Sequence, residues 1–443
     1  METTKMDIAQ TLEYIQRVQW RERKPGFDRI RELLAALGNP EKKQKYIHVA
    51  GTNGKGSTSA CLASVLHHAG YRTGLFISPY VIRYNERIQF NGEYITDDEL
   101  IELTSKLRVI ADAMDDPPTV FEITTALGFM YFEYKKCEIV VLEVGMGGEL
   151  DATNVIDLPE AAVIATIGYD HVEDLGPTLA DIASAKAGII KGGDVVIYGG
   201  TDEVEAVFES VCKERDAKLH RADFSRISNQ TLSLTGNTFD FKPYGEITLS
   251  LAGTYQPKNA AVVITVLEVL REKGYKISDA DIKAGLANVY WPGRFEVLGT
   301  EPIFILDGSH NPEAVEVTAD SLVRHFNGRK IIFIIGVMAD KDIDNMITYI
   351  TPLAQAFISC KPDYESRAMD AETLVEKLQK YDVPSSAAKD FDDAVEQALK
   401  LAGNDGIICT IGSLYFSHNL RDAYNKAFGI VSENTTGSTF CYG

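Results

Sequence analysis

The sequence predicts an α/β protein. A P-loop-type, mostly parallel sheet domain, with helices on both faces and a small β meander, is followed by a smaller Rossmann-like α/β domain. Three observations predict it. Residues 49–58 read VAGTNGKGST, directly after the β-prone run Tyr46-Ile47-His48 and before a helix in which Cys61, Leu62, Val65 and Leu66 recur at helical spacing. Residues 139–144 (IVVLEV) are almost unbroken apolar, as in a strand covered on both faces, and 162–167 repeat that signature. The strand and helix signals then restart around residues 298–302.

Taken in order, the run 46–48, the helix after the glycine turn and the strand signal at 72–77 form a βαβ unit with parallel strands. Residues 232–251 alternate short β-prone runs with Gly and Asn, a meander expected to pack on this first domain, and a helix follows over 259–272. The stretch LGTEP at 298–302 is the expected linker. Beyond it, strands are predicted at 303–306, 330–337, 356–359 and 406–411, with a helix showing Leu374, Leu378 and Tyr381 on one face. The expected domains are therefore 1–297 and 298–431. Residues 432–443 form a polar tail short of helix signals and expected to be disordered.

Composition narrows the function classes. The chain has 443 residues, 45% of them hydrophobic and 24% charged, with 44 Lys+Arg against 64 Asp+Glu and a net charge of -20. That balance argues against general affinity for nucleic acid or membrane surfaces. Any anionic substrate must be held by a few placed cations, metal ions and backbone dipoles, because the overall field repels it. The six cysteines are scattered without a Cys-x-x-Cys pair and read as small core residues. The N-terminus lacks the apolar stretch of a signal peptide, and runs such as 331–335 are far short of a membrane span. A cytosolic location is expected.

The order strand, Gly/Lys loop, helix is what a phosphate chain needs. Amides of the helix N-terminus point at the anion, glycine admits close backbone approach, and Lys55 supplies a mobile cation. The match to the general P-loop is imperfect: the expected leading glycine falls at Val49, and Gly56 separates Lys55 from Ser57.

Other candidates lie at strand ends. Glu143 sits inside the apolar run 140–144, where an unpaired charge would be costly, so a Mg²⁺ role or an ion pair with an Arg is expected. The glycines that follow do not fill G-x-G-x-x-G, which excludes a dinucleotide fingerprint. Ser78 and the pair Asp170-His171 end two further strands and offer a hydroxyl and an imidazole, although Mg²⁺ prefers oxygen. Lys186, in an Ala-rich helix, reads on pattern alone as a solvated lysine. Asp307 ends the run 303–306 before a Gly turn and a helix opened by Pro312. It either accepts from ribose hydroxyls or orients a metal-bound ligand, or else Asn311-Pro312 simply starts that helix.

Together these segments resemble the folylpolyglutamate synthase/dihydrofolate synthase branch of the Mur ligase superfamily. The resemblance runs from about Gly26 to Leu414 through GFDRI, LGNP, HVAGTNGKGS, SPY, NERI, Phe121-Glu122, EVGMGG, LDATN, Asp170-His171, KAGI at Lys186, QPKNA at Asn259, WPGRF at Arg294 and DGSHNP at Asp307. It implies an ATP-dependent ligase joining glutamate to the carboxylate of a reduced folate, and leaves open whether dihydropteroate is also a substrate. An acyl phosphate would be the intermediate, with ADP and phosphate released. The nearest enzymatic rival is a muropeptide-type ligase, disfavoured by Phe121-Glu122 and the Ser78-Pro79-Tyr80 loop. The rival from another class is a P-loop NTPase switch.

Carried over by position, the resemblance implies that Thr52, Asn53, Gly54, Lys55, Gly56 and Ser57 bind the triphosphate together with Asn259, Arg294 and Asp307. Ser78, Glu143 and His171 would bind Mg²⁺ at two sites, with a monovalent cation as an optional further ion. Lys186 matches a carbamylated lysine. Lys55, Lys186 and His171 would act in catalysis, and Tyr80, Phe121, Glu122, Asp151 and His310 would contact substrate. The family leans to monomers. Closure about 298–302 would bring the two domains together over the substrates. Three departures stand out: Glu149, Tyr80 and Tyr255 occupy positions where the family commonly shows Arg, His and His.

Overall fold

The computed structural model describes residues 6–17, 26–363 and 367–430; the expected tail at 432–443, including Cys441, lies outside them. The chain divides into two compact units. Among the described residues, one comprises those up to Phe224 together with Lys258–Asn288, and the other comprises Ser225–Pro257 and those from Val289 to residue 430.

The first unit contains strands β1 (Lys45–Ala50), β2 (Thr73–Phe76), β3 (Ile88–Phe90), β4 (Glu93–Tyr94), β5 (Ile139–Glu143), β6 (Ala161–Ile164), β7 (Gly193–Ile197) and β8 (Ala217–Arg221). They form one sheet in the order β4-β3-β2-β5-β1-β6-β7-β8. The β2-to-β8 portion is parallel and β3 and β4 are an antiparallel edge. β1 lies between β5 and β6, and Val49 sits beside Glu143 in register. Because these strands run in one direction, the turns after β1, β2, β5 and β6 emerge at one sheet edge, where open α/β sheets gather ligands. One core cluster joins Phe76, Val140 and Leu142 to helices Asp28–Ala36, Asp97–Ala111 and Val120–Tyr134. Another joins Ala162, Ile164 and Val195 to helices Leu179–Ala187 and Asp202–Glu214.

The second unit holds β9 (Ile227–Ser233), β10 (Gly236–Phe241) and β11 (Gly245–Leu249), an antiparallel meander. It also holds β12 (Glu296–Thr300), β13 (Ile303–Leu306), β14 (Ile331–Ile335), β15 (Ala354–Ser359), β16 (Ser385–Ala387) and β17 (Ile407–Ile411). The six-stranded order is β12-β13-β17-β14-β15-β16, parallel except for β12.

Two expectations about organisation are corrected. The meander groups with the second unit, because the chain leaving it is tied to helix Pro312–Phe326. Thr254 N–H donates to Ser321 Oγ at 3.0 Å, Thr254 Oγ1 donates to Asp320 at 2.8 Å, and Ala252 packs in the core with Val315 and Leu322. The expected linker 298–302 is no linker: residues 298–300 belong to β12, hydrogen-bonded to β13 across a bulge. Alternation in that strand is weak and Gly299 interrupts it, which hid it from a pattern search. Five cysteines, Cys61, Cys137, Cys212, Cys360 and Cys409, are buried free thiols, as the composition predicts. Among the described residues no helix is long and apolar enough to cross a membrane.

Candidate active site

The turn after β1 delivers the chain into helix Lys55–His68 at Gly54. Glycine is required twice. Gly51 has φ +150°, and a Cβ there would lie 2.7 Å from the Ala165 Cβ. Gly54 has φ +83°, and its Cβ would lie 3.0 Å from Asn259 Oδ1. The turn is stitched to the segment after β6. Thr52 N–H donates to Thr166 O at 2.7 Å, Thr52 Oγ1 donates to Gly168 O at 3.0 Å, and Asn53 N–H meets Thr166 Oγ1 at 3.3 Å. The turn is thus pinned where it enters the helix, whose N-terminal amides favour an anion.

Two cations converge on a single carbonyl. Lys55 Nζ lies 3.0 Å from Gly51 O and 3.2 Å from Thr52 O, and Lys186 Nζ lies 3.0 Å from the same Gly51 O. Lys186 is only 4% exposed. Burial first, then repulsion from Lys55, lowers its pKa to about 7, against the pull of Asp170 and Asp151. The solvated-helix reading of Lys186 is therefore overturned. A Cβ on Gly148 would lie 3.0 Å from Lys186 O, so this glycine lets the last turn of helix Leu179–Ala187 press against the loop after β5 and cover the side chain.

Glu143 ends β5 almost fully buried, and Oε2 accepts the Ser78 N–H at 3.1 Å. The neighbouring Ser78 Oγ is buried without a hydrogen-bond partner. An orphaned hydroxyl beside a buried carboxylate fits a hard divalent cation. His171 stands at φ +51° with its imidazole Nε2 3.9 Å from Asp170 Oδ2 and about a third of its side chain exposed. Among the described residues no cluster of three His, Cys, Asp or Glu side chains is assembled. A metal held at Ser78 and Glu143 would thus also draw on water and phosphate oxygens.

Around the neighbouring turns, the Phe121 ring packs edge-on to Phe76 with centroids 6.2 Å apart, and a Cβ on Gly145 would come within 2.5 Å of its Cζ. Tyr80 lies edge-on to Tyr84 at 6.1 Å, with the Arg87 guanidinium 5.0 Å over its ring. Asp151 is buried: Oδ2 accepts the Met146 N–H at 3.0 Å, and Oδ1 accepts the Thr153 N–H at 3.0 Å and hydroxyl at 2.5 Å. Burial raises its pKa while those donors oppose the rise.

In the second unit Asp307, at the end of β13, is also buried. It accepts from Phe295 N–H at 2.8 Å, Ser309 N–H at 3.0 Å and Thr318 Oγ1 at 3.1 Å. Phe295 is left-handed, at φ +50°, so this carboxylate pins the turn bearing Arg294. His310 Nδ1 lies 2.9 Å from Gly308 O. Asn311 Oδ1 caps helix Pro312–Phe326 through Ala314 N–H at 2.9 Å, so the helix-start reading of this segment holds alongside any ligand role. Burial, reinforced by Asp307 and opposed by Arg294, pushes the Tyr255 phenol well up.

Residues 49–267 match the Mur ligase middle domain and residues 293–414 the Mur ligase glutamate ligase domain. The chain is 39% identical over 414 residues to the dihydrofolate synthase/folylpolyglutamate synthase of Bacillus subtilis, covering 90% of this chain and 94% of that one. Among solved structures it resembles Mycobacterium tuberculosis folylpolyglutamate synthase complexed with ADP, with TM-score 0.88, 27% identity and coverage of 94% and 98% of the two chains. It likewise resembles a folylpolyglutamate synthase–AMPPCP–folate complex, with TM-score 0.84, 30% identity and coverage of 95% and 100%. The chain belongs to the folylpolyglutamate synthase/dihydrofolate synthase family. It is an ATP-dependent ligase acting on folate and glutamate.

Set against this ligase family, the first unit brings together Thr52 to Ser57, Asn259, Lys186 and the Ser78–Glu143 pair. Glu122 occupies a structural position. It closes the capping box of helix Val120–Tyr134 with Thr119 and is 3.1 Å from Arg29 Nε. Sequence reasoning took Arg29 and Glu86 only within the segments GFDRI and NERI and gave neither a role. Glu86 accepts the N–H groups of Val81, Ile82 and Arg83, each at 2.8 Å, and so shapes the turn after Ser78. The acidic residue three positions after Arg83, a capping-box spacing, was the available signal.

Proposed function

We propose that this ligase activates the carboxylate of a reduced folate, and of dihydropteroate, as an acyl phosphate and joins it to L-glutamate. The γ-phosphoryl group of ATP passes to the carboxylate oxygen, leaving ADP. The glutamate amine then attacks the acyl carbon, and the tetrahedral intermediate collapses by expelling phosphate. The observation that carries the reading is the convergence at one sheet edge of the glycine turn, the two lysines on the Gly51 carbonyl and the Ser78–Glu143 pair.

In this reading Gly54 to Ser57 cradle the phosphates, and Lys55 swings from the Gly51 and Thr52 carbonyls to the anion. Most of the catalysis is positioning and charge neutralisation. Mg²⁺, held by Ser78 and Glu143 with His171 completing the set, would supply charge neutralisation on the phosphate oxygens. Lys186 fits carbamylation. An amine held near pKa 7 is substantially neutral at physiological pH and nucleophilic towards CO₂, and the product carbamate turns a buried cation into an anion. Phe121, Tyr80 and Asp151 serve the pterin end. In the second unit Arg294, on the turn anchored by Asp307, and His310 are the ligand-facing groups.

The test is product analysis with labelled glutamate, ATP, and tetrahydrofolate or dihydropteroate. Phosphate release that requires both folate and glutamate supports the ligase reading. Release in their absence points to an NTPase switch and sinks it.

A further inference from the structure

His48, in the middle of β1, is completely buried, yet no step of the reaction uses it. Its Nε2 lies 2.9 Å from Thr153 Oγ1, and Thr153 Oγ1 lies 2.5 Å from Asp151 Oδ1. A threonine hydroxyl has one hydrogen, so the chain can run in only one of two directions. The Thr153 hydroxyl is the donor to Asp151 Oδ1, on a carboxylate that also accepts the Met146 and Thr153 N–H groups. The threonine oxygen must then accept from His48 Nε2–H. This assignment leaves the buried His48 Nδ1, which has no partner, as a bare acceptor and not an orphaned donor, the less costly alternative. Burial, aided by Lys191, lowers the imidazole pKa to about 3, so the ring is neutral and carries a single N–H.

The chain ends on function. Asp151 clamps the Met146 amide, in the loop that leaves Glu143 and carries Gly145 against the Phe121 ring. We propose that His48 is a positioning residue which, through the Thr153 hydroxyl, fixes the Asp151 carboxylate and the 145–146 turn for the pterin end of the folate. The proposal rests on the ligase reading above and adds to it a selective prediction. The relay leads to the Asp151 and Phe121 side of the site, whereas the phosphate turn is held by its own bonds to 166–168. Loss of the relay should therefore weaken folate and spare ATP.

Thr153→Val removes the hydroxyl at nearly constant shape, and Thr153→Ser keeps it; His48→Leu removes the donor, and His48→Gln restores an N–H near Nε2. The Val and Leu variants are expected to raise the KM for tetrahydrofolate by about tenfold, the loss of one hydrogen bond to a buried charge, and to change the KM for ATP less than about twofold. The Ser and Gln variants should stay within about threefold of the parent on both. Should His48→Leu fail to fold, the Thr153 pair decides. Equal shifts in both KM values, or an unchanged tetrahydrofolate KM in folded Thr153→Val, would overturn the proposal. Equilibrium titration of tetrahydrofolate and of ATP without turnover reads the same split. The relay is thus tested even if wild-type protein showed no ligation, a result that would sink the ligase reading alone.

Discussion

The turns after β1 and after β13 share an outline: an apolar strand, a glycine turn, then a helix. Their polar groups are committed differently. In the first, glycines at positive φ and close approach leave a helix N-terminus with two ammonium groups drawn to one backbone carbonyl. In the second, the carboxylate of Asp307 is turned inward onto two amides and a hydroxyl, and the helix start is capped by Asn311. The first turn gathers cations on its own backbone where the proposed reading puts the phosphates; the second uses a carboxylate to hold the backbone on either side of Arg294 and Asp307. Sequence outline specifies where a turn lies, whereas hydrogen-bond partners specify what it does.

The contrast can be broken experimentally. The largest effect is expected for Lys55→Ala. Ligation should fall by about a thousandfold with little change in melting temperature if, as proposed, the lysine acts on the transferring phosphoryl group and not on the fold. Near-normal turnover in that variant would erase the distinction between the turns. Gly54→Ala should come next. A Cβ against Asn259 Oδ1 in a left-handed conformation should cut ATP affinity measured by calorimetry by about tenfold or more and destabilise the protein by about 1 kcal/mol. Asp307→Ala should show the opposite profile. Two buried amides and a hydroxyl lose their acceptor, so the second unit should lose about 2–3 kcal/mol in denaturant unfolding. A variant that kept full stability while losing activity would make Asp307 a direct ligand group.

A further effect is one of pH. Lys186 has a folded pKa of about 7, below its ordinary 10.5, so between these values the unfolded chain binds more protons. Its charged form burdens the native state fully below pH 7, and that burden is relieved as pH rises towards 10.5. Lys186→Met should therefore gain most over the parent in thermal melts at pH 6 and progressively less up to pH 10, in CO₂-free buffer. A gap that widens with pH would show that this lysine is not buried as an amine.

Much of this was legible beforehand. The phosphate turn, Glu143 at a buried strand end and the α/β class all follow from local pattern: apolar runs too continuous for solvent, interrupted by glycine where the backbone must turn. Lys186 was not legible from its helix, because its burial depends on Gly148 and Gly188 admitting a distant loop. The meander was misassigned for the same reason: its anchors, Ser321 and Asp320, lie some seventy positions away.

Sequence by itself determined the order of elements, the phosphate turn and the family, since each depends on residues adjacent in the chain or on motifs in fixed order. Tertiary structure alone decided which charges are buried, which carboxylates are bonded to the backbone, and which unit the meander joins. The physical reason is that desolvation and hydrogen bonding depend on neighbours in space, and a parallel sheet brings those neighbours from far along the chain.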